Sequence, residues 1–252
     1  MKTHLYLLTG ASRGLGAAMA EQLLAADHRV VCISRRRNSA LADRACALGA
    51  ACEQWELDLA QPVEAAARVG AWLAEHDAGT CLSATLINNA AALPRIAPLA
   101  DSDAEDLSTT LRVGLEAPLL LTAAFLHATR DWNVPRRVLN ISSGLGRRAM
   151  AAQSAYCAVK AGMDHYTRAV ALEEGARPNG ARIVSLAPGV IDTDMQVQLR
   201  AADPDGFPDR ARFIGLKDEG QLVAPADAAR RVLACLARAD FGSEAIGDVR
   251  DA

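Results

Sequence analysis

Three residues in the middle of the chain have the types and spacing for acid–base chemistry on a carbonyl group. Tyr156 and Lys160 are four residues apart in a segment with a helical pattern, so both side chains face the same side of the predicted helix. Ser143 lies thirteen residues before the tyrosine and ends a predicted strand. Reduction of a carbonyl needs a hydride on carbon and a proton on oxygen, and a phenol can supply that proton.

The lysine and the serine each complement the tyrosine in this chemistry. The unperturbed pKa of a tyrosine, about 10, is poorly matched to neutral pH. Because an ammonium group stabilises the phenolate, we expect Lys160 to lower the pKa of Tyr156. The Ser143 hydroxyl would hold the substrate oxygen as negative charge develops on it. A Tyr–Lys pair at this spacing is common on helix surfaces, so its significance comes from the other motifs of the chain.

A glycine-rich turn follows the first predicted strand and opens an alanine-rich helix. It reads Thr9-Gly10-Ala11-Ser12-Arg13-Gly14-Leu15-Gly16. Such a turn lets the backbone approach a pyrophosphate, which the free N–H groups and the helix dipole then bind. The glycine spacing alone is a weak signal, but its place between a first strand and a helix favours a dinucleotide-binding loop. The predicted cofactor contacts here are Gly10, Ser12, Arg13, Gly14, Leu15 and Gly16.

The residues after the second predicted strand indicate which dinucleotide is bound. NAD-selective enzymes of this fold usually have an acidic residue there, which binds the ribose 2′-hydroxyl. This chain has Arg35-Arg36-Arg37 instead, and Arg13 of the glycine-rich turn is directed to the same region. Guanidinium groups favour a 2′-phosphate. The sequence therefore predicts NADP(H), bound in part by Arg13, Arg35 and Arg36, although a solvated basic start of a helix is the alternative.

Strand and helix patterns alternate along the whole chain. The predicted strands are 5–8, 29–33, 52–57, 84–87, 137–141, 182–186 and 245–247, and the predicted helices are 14–26, 39–48, 62–75, 103–130, 154–174 and 225–238. Nearly continuous apolar strands alternating with helices predict a parallel sheet covered on both faces. The fold class is therefore α/β, a single-domain Rossmann-type doubly wound sheet of about seven strands over 1–252. Ligands bind such sheets at the carboxyl ends of the strands.

One segment does not fit the alternation of strands and helices. Residues 203–220 are rich in proline, glycine and charge. We expect an irregular insertion there that acts as a mobile lid over the substrate.

Composition excludes several other classes of function. The chain has 252 residues and a net charge of −3, with 51% hydrophobic but only 4% aromatic residues, so we expect neither a nucleic-acid partner nor a membrane. Its five histidines and six cysteines lack the spacing of a metal site. The absence of a C-x-x-C pair and of a signal peptide predicts a cytoplasmic protein with free thiols.

Together these motifs make the sequence resemble the short-chain dehydrogenase/reductase family over nearly its whole length. The family's Asn-Asn-Ala-Gly motif is matched by Asn88-Asn89-Ala90-Ala91, and its nicotinamide segment by Pro188-Gly189 followed by Thr193. The resemblance implies that Ser143, Tyr156 and Lys160 are catalytic, and that Tyr156 and Lys160 also bind the cofactor. It implies further cofactor contacts from Asp58, Leu59, Asn89, Ala90, Ala91, Pro188, Gly189, Val190 and Thr193.

Within that family the sequence is most similar to the sepiapterin reductase and bacterial benzil reductase group. The similarity lies in 187–195, in 216–222 and in the tail that contains Asp248. It implies that Asp248 anchors the substrate, while an ordinary exposed carboxylate is the alternative. Apolar residues in 93–98, 144–153 and 195–222 favour a small, mostly apolar ketone, diketone or pterin-like heterocycle. The predicted substrate contacts are Ser143, Leu145, Tyr156, Met195 and Asp248.

Two positions depart from the family pattern. Ala91 replaces a glycine, and Gly114 stands where the family has an asparagine that holds a water beside the lysine. Two functions therefore stay open, an NADPH-dependent carbonyl reductase and a non-catalytic NADP(H)-binding sensor or scaffold. The resemblance also implies a homodimer or homotetramer, paired through 103–130 and 154–174.

Overall fold

The computed structural model describes residues 2–251, which contain one seven-stranded parallel sheet. The strands are β1 (Thr3–Thr9), β2 (His28–Ser34), β3 (Ala51–Glu56), β4 (Cys81–Asn88), β5 (Arg136–Ile141), β6 (Arg182–Ala187) and β7 (Ile246–Asp248). Their order in the sheet is β3-β2-β1-β4-β5-β6-β7. This order confirms the predicted doubly wound sheet, because the chain reverses its direction of winding after β3.

Helices cover both faces of the sheet, as predicted. The helices are α1 (Gly14–Gln22), α2 (Ser39–Leu48), α3 (Pro62–Glu75), α4 (Ala104–Leu111), α5 (Ala117–Ala128), α6 (Ser154–Gly175), α7 (Asp194–Ala201), α8 (Arg210–Asp218) and α9 (Pro225–Ala237). Successive strand residues point to opposite faces, so Leu7 packs in the cluster with α3 and α5 while Leu8 packs in the cluster with α1, α2 and α9.

The predicted helix over 103–130 is interrupted. Its middle, Arg112–Glu116, is a π-helical turn between α4 and α5. Pro118 explains the interruption, because it lacks the N–H that an α-helix would bond to the carbonyl of Gly114. The backbone therefore changes its hydrogen-bond spacing at this turn, and π-turns of this kind are frequent at functional sites.

The prediction of an irregular insertion over 203–220 is also partly wrong. Most of its second half is the helix α8, and α7 precedes it. The segment 203–220 is rich in charged residues, but its apolar residues Phe207 and Phe213 are both buried. An isolated β-bridge between Ile191 and Val223 joins the two ends of the segment that contains α7 and α8.

Within the described residues, 104–128 forms a rod that is long and apolar enough to cross a membrane, judged by length and composition. Leu121 and Phe125 of this rod are fully buried against the sheet. Core helices of globular proteins have the same character, so the rod is weak evidence for a membrane span.

Gly114 in the π-turn is a point of close contact between the rod and α6. A Cβ placed on Gly114 would lie 2.6 Å from Cγ1 of Val159. Val159 therefore occupies the space into which any side chain at position 114 would extend.

We predict that Gly114→Ala lowers the free energy of unfolding by about 1–3 kcal/mol, because the new methyl group overpacks this contact. Val159→Ala removes the obstructing methyl groups. The loss in the free energy of unfolding of the double variant should therefore be about 1 kcal/mol smaller than the sum of the losses of the two single variants. Urea denaturation of the four proteins measures this coupling, and strictly additive losses would contradict the contact.

Candidate active site

The predicted site residues lie at one edge of the sheet, where the parallel strands end. The glycine-rich turn follows β1, Asn89 follows β4, Ser143 follows β5 and Pro188 follows β6. Helix α6 carries Tyr156 and Lys160, both on its buried side. Because all the strands are parallel, their carboxyl ends meet at this edge.

The glycine-rich turn is fastened to the end of β4. The Thr9 hydroxyl accepts hydrogen bonds from the N–H groups of Asn89 (2.9 Å) and Ala90 (3.0 Å). The Asn89 side chain donates to the Thr9 carbonyl at 2.9 Å. Asn89, predicted as a cofactor contact, therefore also holds the turn in place.

Two glycines of the turn have the left-handed backbone that glycine tolerates best, with φ of +70° at Gly10 and +56° at Gly14. Gly16 is needed for a different reason, because a Cβ there would lie 2.1 Å from the Gly10 carbonyl oxygen. The turn thus keeps its shape through close backbone packing.

The start of α1 is suited to an anion. Arg13 occupies the N-cap position without a side-chain cap, and the first turn of α1 contains no acidic residue. The N–H groups at this helix end therefore have no side-chain acceptor, and the helix dipole favours negative charge there. This geometry fits the pyrophosphate of a dinucleotide.

The four arginines near the site differ in their partners. Arg13 forms an ion pair with Asp194 at the start of α7, at 2.5 Å, and Arg37 pairs with Glu56 of β3 at 3.1 Å. Arg35 and Arg36 are exposed directly after β2. The described residues contain no ion pair to either of them, so these two guanidinium groups are available to a ligand whereas Arg13 is engaged.

The other predicted cofactor contacts line the same edge. Asp58 is exposed and accepts a hydrogen bond from the Ala60 N–H, while Leu59 is buried beside it. Thr193 adjoins the glycine-rich turn, since its methyl carbon lies 3.4 Å from a Cβ placed on Gly14. The remaining predicted positions are partly buried or exposed at this edge, namely Ser12, Ala90, Ala91, Pro188, Gly189 and Val190, and Leu15 is buried in the core.

Ser143, Tyr156 and Lys160 form one cluster. Tyr156 is 8% exposed, and the Ser143 hydroxyl is near enough to stabilise its phenolate form. Lys160 is 2% exposed, and its Nζ donates to the Ile141 carbonyl at 2.7 Å. The same Nζ lies 5.6 Å from the centre of the Tyr156 ring.

The expected lowering of the pKa of Tyr156 is not found. Burial raises the pKa of Tyr156 to about 12, although the nearby Ser143 hydroxyl opposes the rise. Burial also lowers the pKa of Lys160 to about 8, against the attraction of Asp164. The expectation was wrong because it left out the removal of water from both groups, which disfavours their charged forms.

Asp248 is not the exposed carboxylate that was the alternative reading. It is buried at the end of β7 and accepts two hydrogen bonds from the Arg250 guanidinium, at 2.8 and 2.6 Å. Nη1 of Arg147 lies 4.0 Å from Oδ2 of Asp248, the oxygen that also accepts from Arg250. These arginines hold the pKa of Asp248 below its usual range, and its contact with substrate stays a prediction.

The apolar segments predicted to line the substrate site do come together. They form a third hydrophobic cluster, separate from the two that cover the sheet. Its members are Leu93, Ile96, Met150, Ala152, Met195, Leu199, Ala202, Phe207, Phe213 and Leu216. Leu145 is partly buried in the turn between Ser143 and α6.

Sequence reasoning missed Asp164. This buried carboxylate of α6 accepts hydrogen bonds from the hydroxyls of Ser142 and Ser185. Its signal was its position four residues after Lys160, on the same helical face.

No group of three or more His, Cys, Asp or Glu side chains among residues 2–251 is arranged to hold a metal ion.

We predict that Gly16→Ala destabilises the protein by about 3 kcal/mol, because its methyl group collides with backbone that cannot move away. Gly70→Ala is the matched control, since Gly70 is also helical but its Cβ would lie 3.6 Å from Ala124, an ordinary contact. Gly70→Ala should be neutral or stabilising by up to about 1 kcal/mol. Denaturant unfolding distinguishes the two, and equal effects would contradict the proposed packing of the turn.

Comparison with known proteins agrees with this geometry. The family model for short chain dehydrogenase matches residues 4–204. A benzil reductase ((S)-benzoin forming) of Bacillus cereus is 36% identical over 235 residues, covering 93% of this chain and 94% of its own. The sepiapterin reductase of Mus musculus is 33% identical, covering 97% and 96%. The resemblance to these two groups is thereby confirmed.

A solved structure gives the same result for the fold. A putative 2-deoxy-D-gluconate 3-dehydrogenase from Agrobacterium tumefaciens, with bound NADP, superposes with a TM-score of 0.80 at 26% identity, covering 99% of this chain and 95% of that one. The chain therefore belongs to the short-chain dehydrogenase/reductase family and is an NAD(P)-dependent oxidoreductase.

Proposed function

We propose that this protein uses NADPH to reduce a small, mostly apolar carbonyl compound to the alcohol. The observation that carries the proposal is the cluster of Ser143, Tyr156 and Lys160 at the same sheet edge as the glycine-rich turn. When bound, the dinucleotide supplies the hydride. The side chains of the chain then have to hold the carbonyl oxygen and give it a proton.

Tyr156 is the proton donor in this proposal. Its pKa of about 12 keeps it fully protonated at neutral pH, which is the form that a reductase needs. The Ser143 hydroxyl lies beside the phenol and would hold the same substrate oxygen. As negative charge develops on that oxygen it becomes a stronger base than the phenolate, so the proton moves from Tyr156 to the substrate.

Lys160 stabilises the phenolate that remains. Its Nζ lies close to the Tyr156 ring and is oriented by the Ile141 carbonyl. Because Tyr156 and Lys160 are both buried, the attraction between an ammonium and a phenolate is stronger here than in solution. Lys160 is also the residue placed to bind the ribose of the cofactor, as the family resemblance implies.

The preference for NADPH rests on Arg35 and Arg36. Both are exposed after β2, where an acidic residue would select NAD. Their guanidinium groups suit a 2′-phosphate through charge-assisted hydrogen bonds. Arg13 could join them only by leaving Asp194.

The choice of an apolar substrate rests on the third hydrophobic cluster. Its partly buried members Leu93, Met150 and Met195 are suited to contact a ketone, a diketone or a pterin-like heterocycle. The buried rings of Phe207 and Phe213 support them from beneath. The segment from α7 to α8, which includes most of the predicted lid over 203–220, contributes most of the cluster. The benzil and sepiapterin reductases among the relatives support this substrate class.

Assembly and location belong to the same proposal. Leu111, Leu119 and Leu172 are exposed on α4, α5 and α6, which supports a homodimer or homotetramer formed through these helices. All six cysteines are free thiols, which suits a cytoplasmic protein.

We expect NADPH-dependent reduction of benzil, and Tyr156→Phe should lower kcat by about 100-fold or more, because the proton donor is lost while the ring remains. The decrease in nicotinamide absorbance measures both rates, and sepiapterin is the second substrate offered. NADPH binding without turnover of either compound would instead support the non-catalytic sensor.

We further predict that replacing both Arg35 and Arg36 by alanine lowers kcat/KM for NADPH by about tenfold or more and leaves kcat/KM for NADH unchanged. Arg37→Ala is the matched control, because Arg37 already pairs with Glu56. Equal losses for the two cofactors would mean that these arginines do not bind the 2′-phosphate.

A further inference from the structure

A buried carboxylate that the proposed reaction does not use lies one helical turn from Lys160. We propose that Asp164 is a positioning residue that fixes the loop carrying Ser143 and keeps Lys160 in its charged form. This inference deepens the proposed function and rests on it for the roles of Ser143 and Lys160. Asp164 itself need touch neither substrate nor cofactor.

The contacts of Asp164 hold three parts of the fold together. The side chain is 1% exposed, and its Oδ1 accepts hydrogen bonds from Ser142 after β5 (2.6 Å) and from Ser185 of β6 (2.7 Å). The Nε of Arg147 lies 3.4 Å from its Oδ2. One carboxylate thus fixes helix α6 to the end of β5 and to β6.

The loop carrying Ser143 is attached to α6 at two successive turns. The Ile141 carbonyl accepts from Lys160, and the neighbouring Ser142 donates to Asp164. Gly146 closes the loop onto the same helix, because a Cβ there would lie 2.8 Å from Asp164 Oδ2 and 2.9 Å from the Lys160 carbonyl oxygen. The position of Ser143 relative to Tyr156 is therefore determined on both sides by Asp164 and Lys160.

Asp164 is the buried carboxylate that opposes the loss of charge on Lys160. Arg147 lies behind the carboxylate and donates to the Gly247 carbonyl at 2.8 Å, while Asp248 is neutralised by Arg250. Tyr156 faces Lys160 from the other side and is neutral. Burial lowers the pKa of Lys160 to about 8, and Asp164 is the charged group that opposes this.

Removing the charge of Asp164 should therefore release the proton of Lys160 at lower pH. Asp164→Asn keeps an oxygen that can accept from the two serine hydroxyls but removes the negative charge. The chain has three lysines, Lys2, Lys160 and Lys217. Protein labelled with 13C at the lysine side chains therefore gives few signals, and Lys160→Arg identifies the one from Lys160.

In the cofactor-free protein we expect the Lys160 signal to titrate near pH 8 and to move to lower pH by about one unit in Asp164→Asn. The signals of Lys2 and Lys217 should not move. An unchanged Lys160 midpoint in a folded Asp164→Asn protein would overturn the electrostatic part of the proposal.

The positioning part is tested by two serine variants that remove a hydrogen bond from the same oxygen of Asp164. Ser142→Ala loosens the loop beside Ser143, so kcat should fall about tenfold with the NADPH Kd unchanged. Ser185→Ala acts on β6 instead, so kcat should fall less than threefold. Its Tm should fall by as much as the Tm of Ser142→Ala, because each variant loses one hydrogen bond to Asp164. Equal effects of the two variants on kcat would overturn the positioning role.

These two experiments separate this inference from the proposed function. If the wild-type protein reduces no carbonyl compound, the proposed function fails, while the titration of Lys160 in the cofactor-free protein still decides the role of Asp164. If Asp164→Asn does not fold, the comparison of Ser142→Ala with Ser185→Ala decides it.

Discussion

The arrangement of the site depends on one buried cation. Lys160 is almost completely removed from water and its Nζ is held by the Ile141 carbonyl at the end of β5. An ammonium group in such a place is stable only if it is hydrogen-bonded and has a counter-charge. The carbonyl provides the first and Asp164 the second. The same two partners determine where the loop after β5 lies, and with it Ser143.

Under the proposed function, this arrangement lets the site protonate a substrate although burial raises the pKa of Tyr156. Burial keeps Tyr156 neutral before the reaction. The favourable attraction to Lys160 arises when the phenolate forms, as the substrate oxygen takes up the proton. Interactions that are stronger in the transition state than in the ground state accelerate a reaction, and the pair of buried groups has this property.

Much of the fold and of the site could be predicted because the signals are local. Apolar runs such as Val30–Ile33 predict strands, and the glycine-rich turn after β1 marks the cofactor edge. The four-residue spacing of Tyr156 and Lys160 places both on one face of a helix. Parallel strands then bring these separate segments to a common edge without further information.

The remaining features depend on contacts between distant segments. The pKa of Tyr156 is set by burial, which the spacing to Lys160 does not reveal. The fit of Gly114 against Val159 and the approach of Arg147 to Asp248 involve residues that are not close together until the chain folds. The helix α8 was not predicted from the sequence, because only a narrow stripe of its residues is apolar and the others are mostly charged or small.

The central claim is that hydride addition at this site depends on proton donation by Tyr156. The most direct test uses NADPH with deuterium at the transferable position of the nicotinamide and measures deuterium in the alcohol product during a single turnover. We predict that the wild-type protein transfers the deuterium to the former carbonyl carbon and that Tyr156→Phe, binding NADPH equally well, transfers it at least about 100-fold more slowly. Transfer at the wild-type rate without the phenol would contradict the account.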